Sequence, residues 1–390
     1  MAVTERQRAL EVLRRIQNEN LYATIALIGE PGFVRSLVLG VLRWRSMLDH
    51  AIETFADRRI NKLDALVVDV LRVGLYQLHF MEVASYAAVS ESVELAPKRA
   101  RGFVNAVLRR ATRGLPDPPD LATRVAHPQW LLDRWSKMYG EARAAAIAEA
   151  NQQLSYPDVL ALEGAVPADA ERSALAPDVF KLRGSSADLD REQFYPMDEG
   201  SALIASIASH AGNEVLDMAA APGGKTLFMQ SRGLKVTSSD VSMRRLQPLV
   251  GRQARLLVAD GRQPPFRRRF SVVLLDAPCS ATGTIRKNPE IKWRLRESDL
   301  PAFAELQKSL LASALELAEN EVVYSTCSLE PEENDEVIDF VLRERSDFVR
   351  DDVARFVDGA ALRWVENGVL RLTPESGADG FTAFALRRSR

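Results

Sequence analysis

The chain has 390 residues, of which 46% are hydrophobic and 27% are charged, and its formal net charge is −2. This composition supports full hydrophobic cores in two or three domains, and it excludes a disordered or strongly basic protein. The charge is unevenly spread. Residues 1–140 carry 20 Lys and Arg against 15 Asp and Glu, whereas the remaining residues carry 31 against 38. The local excess of cations favours an N-terminal module that binds a polyanion.

Two cysteines and four scattered histidines narrow the class of protein further. So few cysteines give no disulfide framework, and they are typical of a reducing cytosol. The first residues lack an apolar signal core, and no apolar run reaches the length of a membrane span. The histidines form no cluster with metal-ligand spacing. We therefore expect a cytoplasmic monomer with no metal ion and no membrane contact.

Residues 1–140 predict an all-helical domain. Apolar side chains recur there at helical spacing, for example at Leu63, Leu66, Val67 and Val70. Cations crowd into the last predicted helix and its flanks, and either a solvated basic face or a contact surface for an RNA backbone would explain them. These cations are Lys98, Arg99, Arg101, Arg109, Arg110 and Arg113. Proline-rich residues 115–120 follow as a predicted linker.

The second half of the chain alternates predicted strands and helices. Residues 141–212 predict a linker and a small α+β subdomain, and they are the least regular part of the sequence. Residues 213–390 contain five apolar β-type runs, and predicted helices connect them. This alternation predicts a doubly wound, mainly parallel sheet whose site lies at the carboxyl ends of the strands.

A loop of small residues follows the first of these strands. It consists of Ala219, Ala220, Ala221, Pro222, Gly223, Gly224 and Lys225. A phosphate-binding Walker loop would need glycine at position 219, so that interpretation fails on spacing. Such a turn still lets a ligand approach backbone N–H groups closely. Asp240 and Asp260 end the next two strands, where one carboxylate meets ribose hydroxyls and the other an adenine amino group. A nucleoside cofactor without a triphosphate fits this set, although a helix cap or a turn would also explain each aspartate.

Both cysteines follow apolar strands, in the runs Asp276 to Ser280 and Ser325 to Ser328. Beside a nucleoside cofactor, two thiols indicate methylation at carbon 5 of a pyrimidine. A thiolate that adds to C6 makes C5 nucleophilic, and a second group must then assist release. Asp276 would activate the ring at N3. From the residues alone, either Cys279 or Cys327 could attack, and inert buried thiols remain the structural alternative.

Three motifs resemble those of RNA 5-methylcytosine methyltransferases. They are residues 276–293 (DAPCSATGTIRKNPEIKW), residues 324–334 (YSTCSLEPEEN) and residues 220–226 (AAPGGKT). The resemblance implies S-adenosylmethionine as the cofactor, Cys327 as the nucleophile and Cys279 as the group that assists release. It also implies that the loop at 219–225, with Asp240, Asp260 and Asp276, forms the cofactor site. Arg286 and Lys292 lie inside the first motif and complete the residues expected to contact RNA.

The N-terminal half is similar to NusB-like helical domains, on residues 88–96 (AVSESVELA) and 102–110 (GFVNAVLRR). Together the two halves resemble the Sun/Fmu type of this methyltransferase family. The implied architecture is a NusB-like RNA-binding domain at 1–140, a pre-catalytic subdomain at 141–212 and a Rossmann-like catalytic domain at 213–390. The implied reaction methylates carbon 5 of a cytidine in small-subunit (16S) ribosomal RNA through a covalent cysteine–C6 adduct.

Other functions remain open on the sequence. A related enzyme could act on tRNA or another RNA. A DNA cytosine methyltransferase would use the Pro-Cys thiol of Cys279, but it would carry a target-recognition insert that this chain lacks. A non-catalytic RNA-binding or antitermination module would leave both cysteines without a role. An amino-group methyltransferase would need Pro-Pro and an aromatic residue after Asp276.

Overall fold

The computed structural model describes residues 3–162, 164–176, 178–184, 189–210, 212–252 and 254–389. The chain forms two compact units. The helical unit contains Met1–Gln153 together with Ile285–Leu295, and the α/β unit contains Leu154–Thr284 and Arg296–Arg390. We call residues 285–295 the strap, because the chain leaves the α/β unit there and packs within the helical unit. The domain boundaries near residues 140 and 212 stay a prediction.

The N-terminal part is helical throughout its regular structure, as the apolar periodicity predicts. Its helices are α1 (Glu5–Asn18), α2 (Ala23–Ala26), α3 (Gly32–Arg43), α4 (Arg45–Ala56), α5 (Ala65–Phe80), α6 (Ser85–Leu95), α7 (Arg101–Ala111), α8 (Leu121–Arg124), α9 (Gln129–Tyr139) and α10 (Glu141–Ala150). α5 is the central helix, since Val70, Leu71 and Val73 are each fully buried. α3 approaches it closely at Gly40, where an added Cβ would lie 1.8 Å from the Tyr76 ring.

The sequence pattern predicts one helix at about 128–150, whereas the structure has two helices there, α9 and α10. Gly140 separates α9 from α10 with φ of 82°, a left-handed conformation that glycine adopts without steric cost. Helical periodicity is present on both sides of Gly140, so the sequence pattern does not predict the break between the two helices.

The strap completes the core of the helical unit. The ring of Trp293 packs against that core, and its indole N–H donates to the carbonyl of Leu42 at 2.6 Å. The carboxylate of Glu290 accepts from the backbone N–H of Ala23 at 2.9 Å. The guanidinium of Arg43 in turn donates to the strap at the carbonyl of Arg286, at 2.8 Å. The strap therefore belongs to the helical unit by both apolar packing and hydrogen bonds.

The α/β unit begins with a small antiparallel sheet. Its strands are β1 (Asp158–Ala161), β2 (Ala170–Arg172), β3 (Val179–Leu182) and β4 (Phe194–Pro196), in the order β2-β3-β1-β4. The side chains of Val159, Phe180 and Phe194 form a separate apolar cluster in this sheet.

The large sheet joins a parallel part to an antiparallel part. The parallel strands are β5 (Glu214–Asp217), β6 (Lys235–Asp240), β7 (Arg255–Val258), β8 (Phe270–Asp276) and β9 (Ala318–Thr326). The antiparallel strands are β10 (Phe348–Asp351), β11 (Val365–Glu366), β12 (Val369–Leu372) and β13 (Phe381–Arg388). The remaining helices are α11 (Glu199–Ala208), α12 (Gly224–Ser231), α13 (Met243–Leu246), α14 (Ile291–Arg294, in the strap), α15 (Leu300–Leu317) and α16 (Asp335–Glu344).

The strand order determines where a ligand can bind. Over the described residues it is β11-β12-β13-β9-β8-β5-β6-β7, with β10 paired to β13. The chain runs outward from β5 to β7 and then returns to β8 on the opposite side of β5. In open α/β sheets, ligands bind at such a reversal, beyond the carboxyl ends of the strands. The predicted parallel sheet is confirmed for β5 to β9, but the antiparallel strands β10 to β13 make the whole sheet mixed rather than mainly parallel. The reversal of the parallel part lies between β5 and β8.

Candidate active site

The two cysteines lie in contact at the reversal of the sheet. β8 and β9 are parallel neighbours, and Asp276 on β8 pairs in register with Ser325 on β9. The loops that follow therefore leave the same edge of the sheet. The Sγ atoms of Cys279 and Cys327 are 3.3 Å apart, and both thiols are free and half-buried. The predicted pair is thus one site rather than two separate buried thiols.

Asp276 is held by two hydrogen bonds beside the cysteines. The ammonium of Lys225 donates to its Oδ2 at 2.6 Å, and the hydroxyl of Ser325 donates to its Oδ1 at 2.7 Å. Lys225 also donates to the hydroxyl of Ser201 at 2.8 Å. Burial lowers the pKa of Lys225, but the negative charge and hydrogen bond of Asp276 outweigh it and leave the pKa above its ordinary value. The ammonium therefore stays charged.

Glu333 accepts hydrogen bonds from both of the loops that carry the cysteines. It is fully buried and comes from the turn between β9 and α16. Its carboxylate accepts from the backbone N–H of Ser280 at 2.8 Å, from the hydroxyl of Ser328 at 2.6 Å, and from the Ser280 hydroxyl. Gln307 on α15 donates to the same carboxylate at 3.0 Å and to the carbonyl of Pro278 at 2.9 Å. One acid thus supports the residue after each cysteine.

The thiol of Cys279 resists ionisation. Its hydrogen bond with Cys327, its burial and the negative charges of Glu333 and Asp276 raise its pKa well above the ordinary value. Cys279 therefore remains protonated near neutral pH.

The small-residue loop connects β5 to α12. The backbone N–H of Ala220 donates to the carbonyl of Ser239 at 2.9 Å, and the hydroxyl of Tyr195 donates to the carbonyl of Pro222 at 2.9 Å. Gly223 has φ of 117°, a conformation that L side chains rarely adopt, and an added Cβ would lie 2.4 Å from the Leu249 side chain. Glycine is therefore required at this position by both the backbone and the space.

Asp217, at the end of β5, is a further acid that the sequence analysis did not assign. Burial raises the pKa of Asp217 to about 6. The hydroxyl of Thr226 donates a hydrogen bond of 2.7 Å to Oδ2, which lowers the pKa but only partly offsets the effect of burial. Its Oδ1 is buried without a hydrogen-bond partner among the described residues. The carboxyl group consequently changes charge close to neutral pH.

Asp240 and Asp260 lie at the carboxyl ends of the adjacent strands β6 and β7. Asp240 is 3% exposed and accepts from the backbone N–H of Ser242 at 2.9 Å, with an Arg245 guanidinium nitrogen 3.6 Å away. The carboxylate of Asp260 is more exposed and pairs with Arg262 at 2.6 Å. The hydrogen bonds from Arg262 lower the pKa of Asp260 to about 2. Both acids have the strand-end positions that the sequence predicted.

The predicted cation cluster divides between the two ends of α7. Arg99 and Arg101 pair near its start with Asp64, at 3.6 Å, and Glu94, at 2.9 Å. Lys98 is exposed beside them. Arg109, Arg110 and Arg113 lie at the other end, about 16 Å along the helix. There they line an open depression of about 550 Å³ with residues 114–116 and Phe55.

Arg286 and Lys292 do not match their predicted RNA contact. Lys292 is 1% exposed, and its ammonium donates to the carbonyls of Arg43 at 2.9 Å and Ala126 at 2.7 Å within the helical unit. Burial and the charge of Arg43 lower its pKa well below the ordinary value. Arg286 is also buried. Because both cations lie inside the strap's packing, neither is available to a phosphate in this structure.

No group of three or more His, Cys, Asp or Glu residues arranged to hold a metal ion occurs within the described ranges. Among the same residues, no helix is both long and apolar enough to cross a membrane.

Comparisons with known proteins agree with the division into two units. A family model for the 16S rRNA methyltransferase RsmB/F matches residues 204–387, and the NusB family model matches residues 3–113. The probable ribosomal RNA small subunit methyltransferase B of Bacillus subtilis is 30% identical, with 97% of this chain and 98% of the relative aligned. The ribosomal RNA small subunit methyltransferase B of Shigella flexneri is 32% identical over 82% of this chain and 83% of its own length. The crystal structure of PH0851 superposes with a TM-score of 0.78 at 22% identity and covers all of both chains.

A NusB-type helical unit joined to an α/β unit with this sheet and strand-end site defines an RNA methyltransferase of the Rossmann-like class. The chain belongs to the family of S-adenosylmethionine-dependent methyltransferases of small-subunit ribosomal RNA, the RsmB/F family. The fold, the cofactor and the NusB-like domain expected from the motifs are thereby confirmed.

Proposed function

We propose that the protein transfers a methyl group to carbon 5 of a cytidine in small-subunit ribosomal RNA through a covalent cysteine adduct. The observation that carries the proposal is the 3.3 Å contact of the Cys279 and Cys327 sulfur atoms beside Asp276. Carbon 5 of cytosine is a weak nucleophile, so this chemistry needs a covalent activator and a second group for release. The names of the Bacillus and Shigella relatives support ribosomal RNA as the substrate.

Cys327 is the attacking sulfur in this proposal. We assign the addition at C6 to Cys327 because the motif resemblance implies it, and the raised pKa of Cys279 agrees with a thiol that stays protonated. The new S–C6 bond leaves C5 as the nucleophilic carbon of an enamine. Bound S-adenosylmethionine would supply the electrophilic methyl group. For release, the C5 proton leaves to a base, the S–C6 bond breaks and its electron pair returns to the Cys327 sulfur. We assign Cys279, which contacts that sulfur, to assist this step.

Asp276 and Lys225 activate the ring. Addition to C6 places negative charge on the base, which a proton or hydrogen bond at N3 relieves. Asp276 borders the sulfur pair and receives a hydrogen bond from the Lys225 ammonium. We infer that Asp276 relays a proton from the Lys225 ammonium to N3 as negative charge develops on the base, and that this proton returns by the same route when the S–C6 bond breaks.

The residues at the carboxyl ends of β5, β6 and β7 fit S-adenosylmethionine. Asp240 would accept the ribose hydroxyls, Asp260 the adenine amino group, and the loop at 219–225 would lie along the methionine portion. Val241 and Val258 adjoin these acids and are 67% and 49% exposed. Exposed apolar side chains next to two strand-end carboxylates suit a flat, apolar adenine ring. Arg262 must then share Asp260 with the cofactor.

The RNA would contact the helical unit as well. Arg109, Arg110 and Arg113 around the depression at the end of α7 are the cations that we propose for the RNA backbone. A cytoplasmic location and the division of the chain at residues 140 and 212 also stay proposals.

One experiment tests the reaction directly. The purified protein is incubated with labelled S-adenosylmethionine and a transcript of small-subunit ribosomal RNA, and the RNA is digested to nucleosides. Label in 5-methylcytidine supports the proposal, whereas label in an N-methylated nucleoside contradicts it. Parallel reactions with tRNA and DNA separate the alternative substrates, and Cys279→Ser with Cys327→Ser provides the inactive control.

A further inference from the structure

A run of arginines in the α/β unit has no part in the site described above. Residues 241–269 contain eight arginines and a single acid, Asp260. We call the eight the arginine edge: Arg244, Arg245, Arg252, Arg255, Arg262, Arg267, Arg268 and Arg269. All except Arg252 are exposed. Solvated faces usually intersperse charges of both signs, so a segment of one sign within an acidic half of the chain needs an explanation.

The members of the arginine edge lie at both ends of the strands of the large sheet. Along the described strand order β7 is terminal, and it pairs with β6. Arg244 and Arg245 lie on α13 just after β6, and Arg255 begins β7 itself. Arg262 follows β7, whereas residues 267–269 immediately precede β8. Arg244, Arg245 and Arg262 thus lie at the carboxyl ends of β6 and β7, whereas Arg255 and residues 267–269 lie at the amino ends of β7 and β8, which are three positions apart in the sheet.

Carboxylates neutralise only part of this charge. Arg245 lies near Asp240, Arg262 pairs with Asp260, Arg268 pairs with Glu214, and Arg252 is 3.5 Å from Glu192. Arg269 donates instead to the backbone carbonyl of Glu316. Arg244, Arg255 and Arg267 have no carboxylate within ion-pair distance among the described residues. The arginine edge thus retains a net positive charge, and three of its guanidinium groups have no carboxylate partner among the described residues.

We propose that the arginine edge binds the RNA backbone and gives the α/β unit an RNA-contact surface of its own. The inference rests on the proposed function, which makes RNA the substrate. Guanidinium groups form paired hydrogen bonds with phosphate, and an exposed group of them suits a polyanion better than a protein surface of mixed charge. Arg245 and Arg262 also touch the carboxylates proposed for the cofactor, so the RNA-contact surface borders the cofactor site.

The test removes charge only where no cofactor carboxylate is touched. The triple variant Arg244→Gln, Arg255→Gln, Arg267→Gln is compared with a control triple, Arg343→Gln, Arg350→Gln, Arg363→Gln. The control arginines are also exposed, but they lie near β10 and β11, toward the other end of the large sheet. Binding of a small-subunit ribosomal RNA transcript is measured against salt concentration, and cofactor binding is measured by calorimetry.

The test variant should bind the transcript at least tenfold more weakly than the control at physiological salt. Its plot of log affinity against log salt should be shallower by about 0.7–0.9 for each phosphate that the variant no longer neutralises. Cofactor affinity and thermal unfolding should match those of the wild type. Equal RNA affinity and salt slope in the two triple variants would overturn the proposal. That result is also the one expected if the arginine edge binds an acidic protein instead of RNA. Failure of the proposed function would look different, because the wild type would then form no 5-methylcytidine.

Discussion

The carboxylate of Glu333 accepts hydrogen bonds from both the backbone N–H and the hydroxyl of Ser280, the residue that follows Cys279. It also accepts from Ser328, which follows Cys327. A single buried acid therefore sets the distance between two loops that leave different strands. The 3.3 Å contact of the sulfur atoms depends on this support as much as on the strands themselves.

Removal of this support should impair the reaction more than cofactor binding. Glu333→Ala leaves the Ser280 N–H and the side chain of Gln307 without their buried acceptor, at about 1–3 kcal/mol for each group. We expect a lower melting temperature and a large fall in kcat, with nearly unchanged affinity for S-adenosylmethionine. Glu333→Gln retains one acceptor oxygen and should fall between Ala and wild type. Glu336→Gln, at an exposed position on α16, is the control. A wild-type kcat in Glu333→Ala would show that the two cysteine loops keep their positions without this carboxylate.

The two thiols should fail in different ways. Cys327→Ala should abolish both methylation and the covalent RNA adduct, because it removes the attacking sulfur. Cys279→Ala should still form the adduct but release it slowly, so that a protein–RNA band accumulates on a denaturing gel. The double variant should give no band. A persistent band in Cys327→Ala and none in Cys279→Ala would reverse the assignment.

Asp240 should control cofactor affinity. A buried carboxylate that accepts two ribose hydroxyls contributes about 2–4 kcal/mol, so Asp240→Ala should weaken S-adenosylmethionine binding at least about 30-fold. Calorimetry measures the loss directly. Asp169→Ala, at a side chain that is 80% exposed in the turn before β2, should bind as the wild type does. Unchanged affinity in Asp240→Ala would exclude Asp240 from the cofactor site.

Glu321 should make the protein less stable as the pH rises. It lies on β9 and is 4% exposed; burial and the charge of Asp351 raise its pKa to about 7 from the ordinary 4.5. The folded state therefore holds this proton more tightly than the unfolded state. The resulting stability is complete below about pH 4.5 and is lost as the pH rises through about 7.

Glu321→Gln should therefore be more stable than the wild type at about pH 8, by up to about 3 kcal/mol, and nearly equal to it near pH 4.5. Urea unfolding at the two pH values measures the difference. The exposed neighbour Glu319→Gln should show no such dependence. A wild-type pH profile in Glu321→Gln would mean that this carboxyl group is charged in the folded protein.

The cations at the end of α7 should contribute to RNA affinity independently of the arginine edge. The triple variant Arg109→Gln, Arg110→Gln, Arg113→Gln should weaken RNA binding and lower the salt slope by about 0.7–0.9 per phosphate left without its cation. Cofactor affinity should stay constant. The control triple removes arginines of the same unit that are paired with acids, Arg8, Arg15 and Arg124. If both triples bind RNA equally, these cations form a solvated face.

The parts of the fold that the sequence predicts correctly depend on local pattern. Residues 272–275 of β8 and 322–324 of β9 are continuously apolar, as expected for strands buried on both faces, and the acids at the carboxyl ends of β6 and β7 follow the strand runs that the pattern predicts. The apolar pattern does not predict the short strands β11 and β12, because only their pairing with other strands of the sheet defines them. Glu333 stands inside a recognised motif, yet its partner Ser280 is distant in sequence, and periodicity carries no information about such a contact.

Lys292 is a second residue whose contacts the sequence pattern cannot predict, because its partners are distant in the chain. Its motif belongs to the catalytic half of the sequence, so a basic side chain there predicts an RNA contact. The carbonyls that receive its hydrogen bonds belong to Arg43 and Ala126, far away in the chain. Only the tertiary structure reveals that the lysine fills a polar position in a helical core.

The strap also limits how this protein can be cut into fragments and how its two halves can be exchanged by recombination. A gene fragment that encodes residues 154–390 would carry residues 285–295 away from the helices that enclose them. Trp293 would lose its apolar surroundings, and Lys292 would lose both carbonyls, in a segment that begins six residues after Cys279. Recombination that exchanges the N-terminal helices for those of a distant relative would meet the same difficulty. The two halves must therefore evolve together, although each has the appearance of a transferable module.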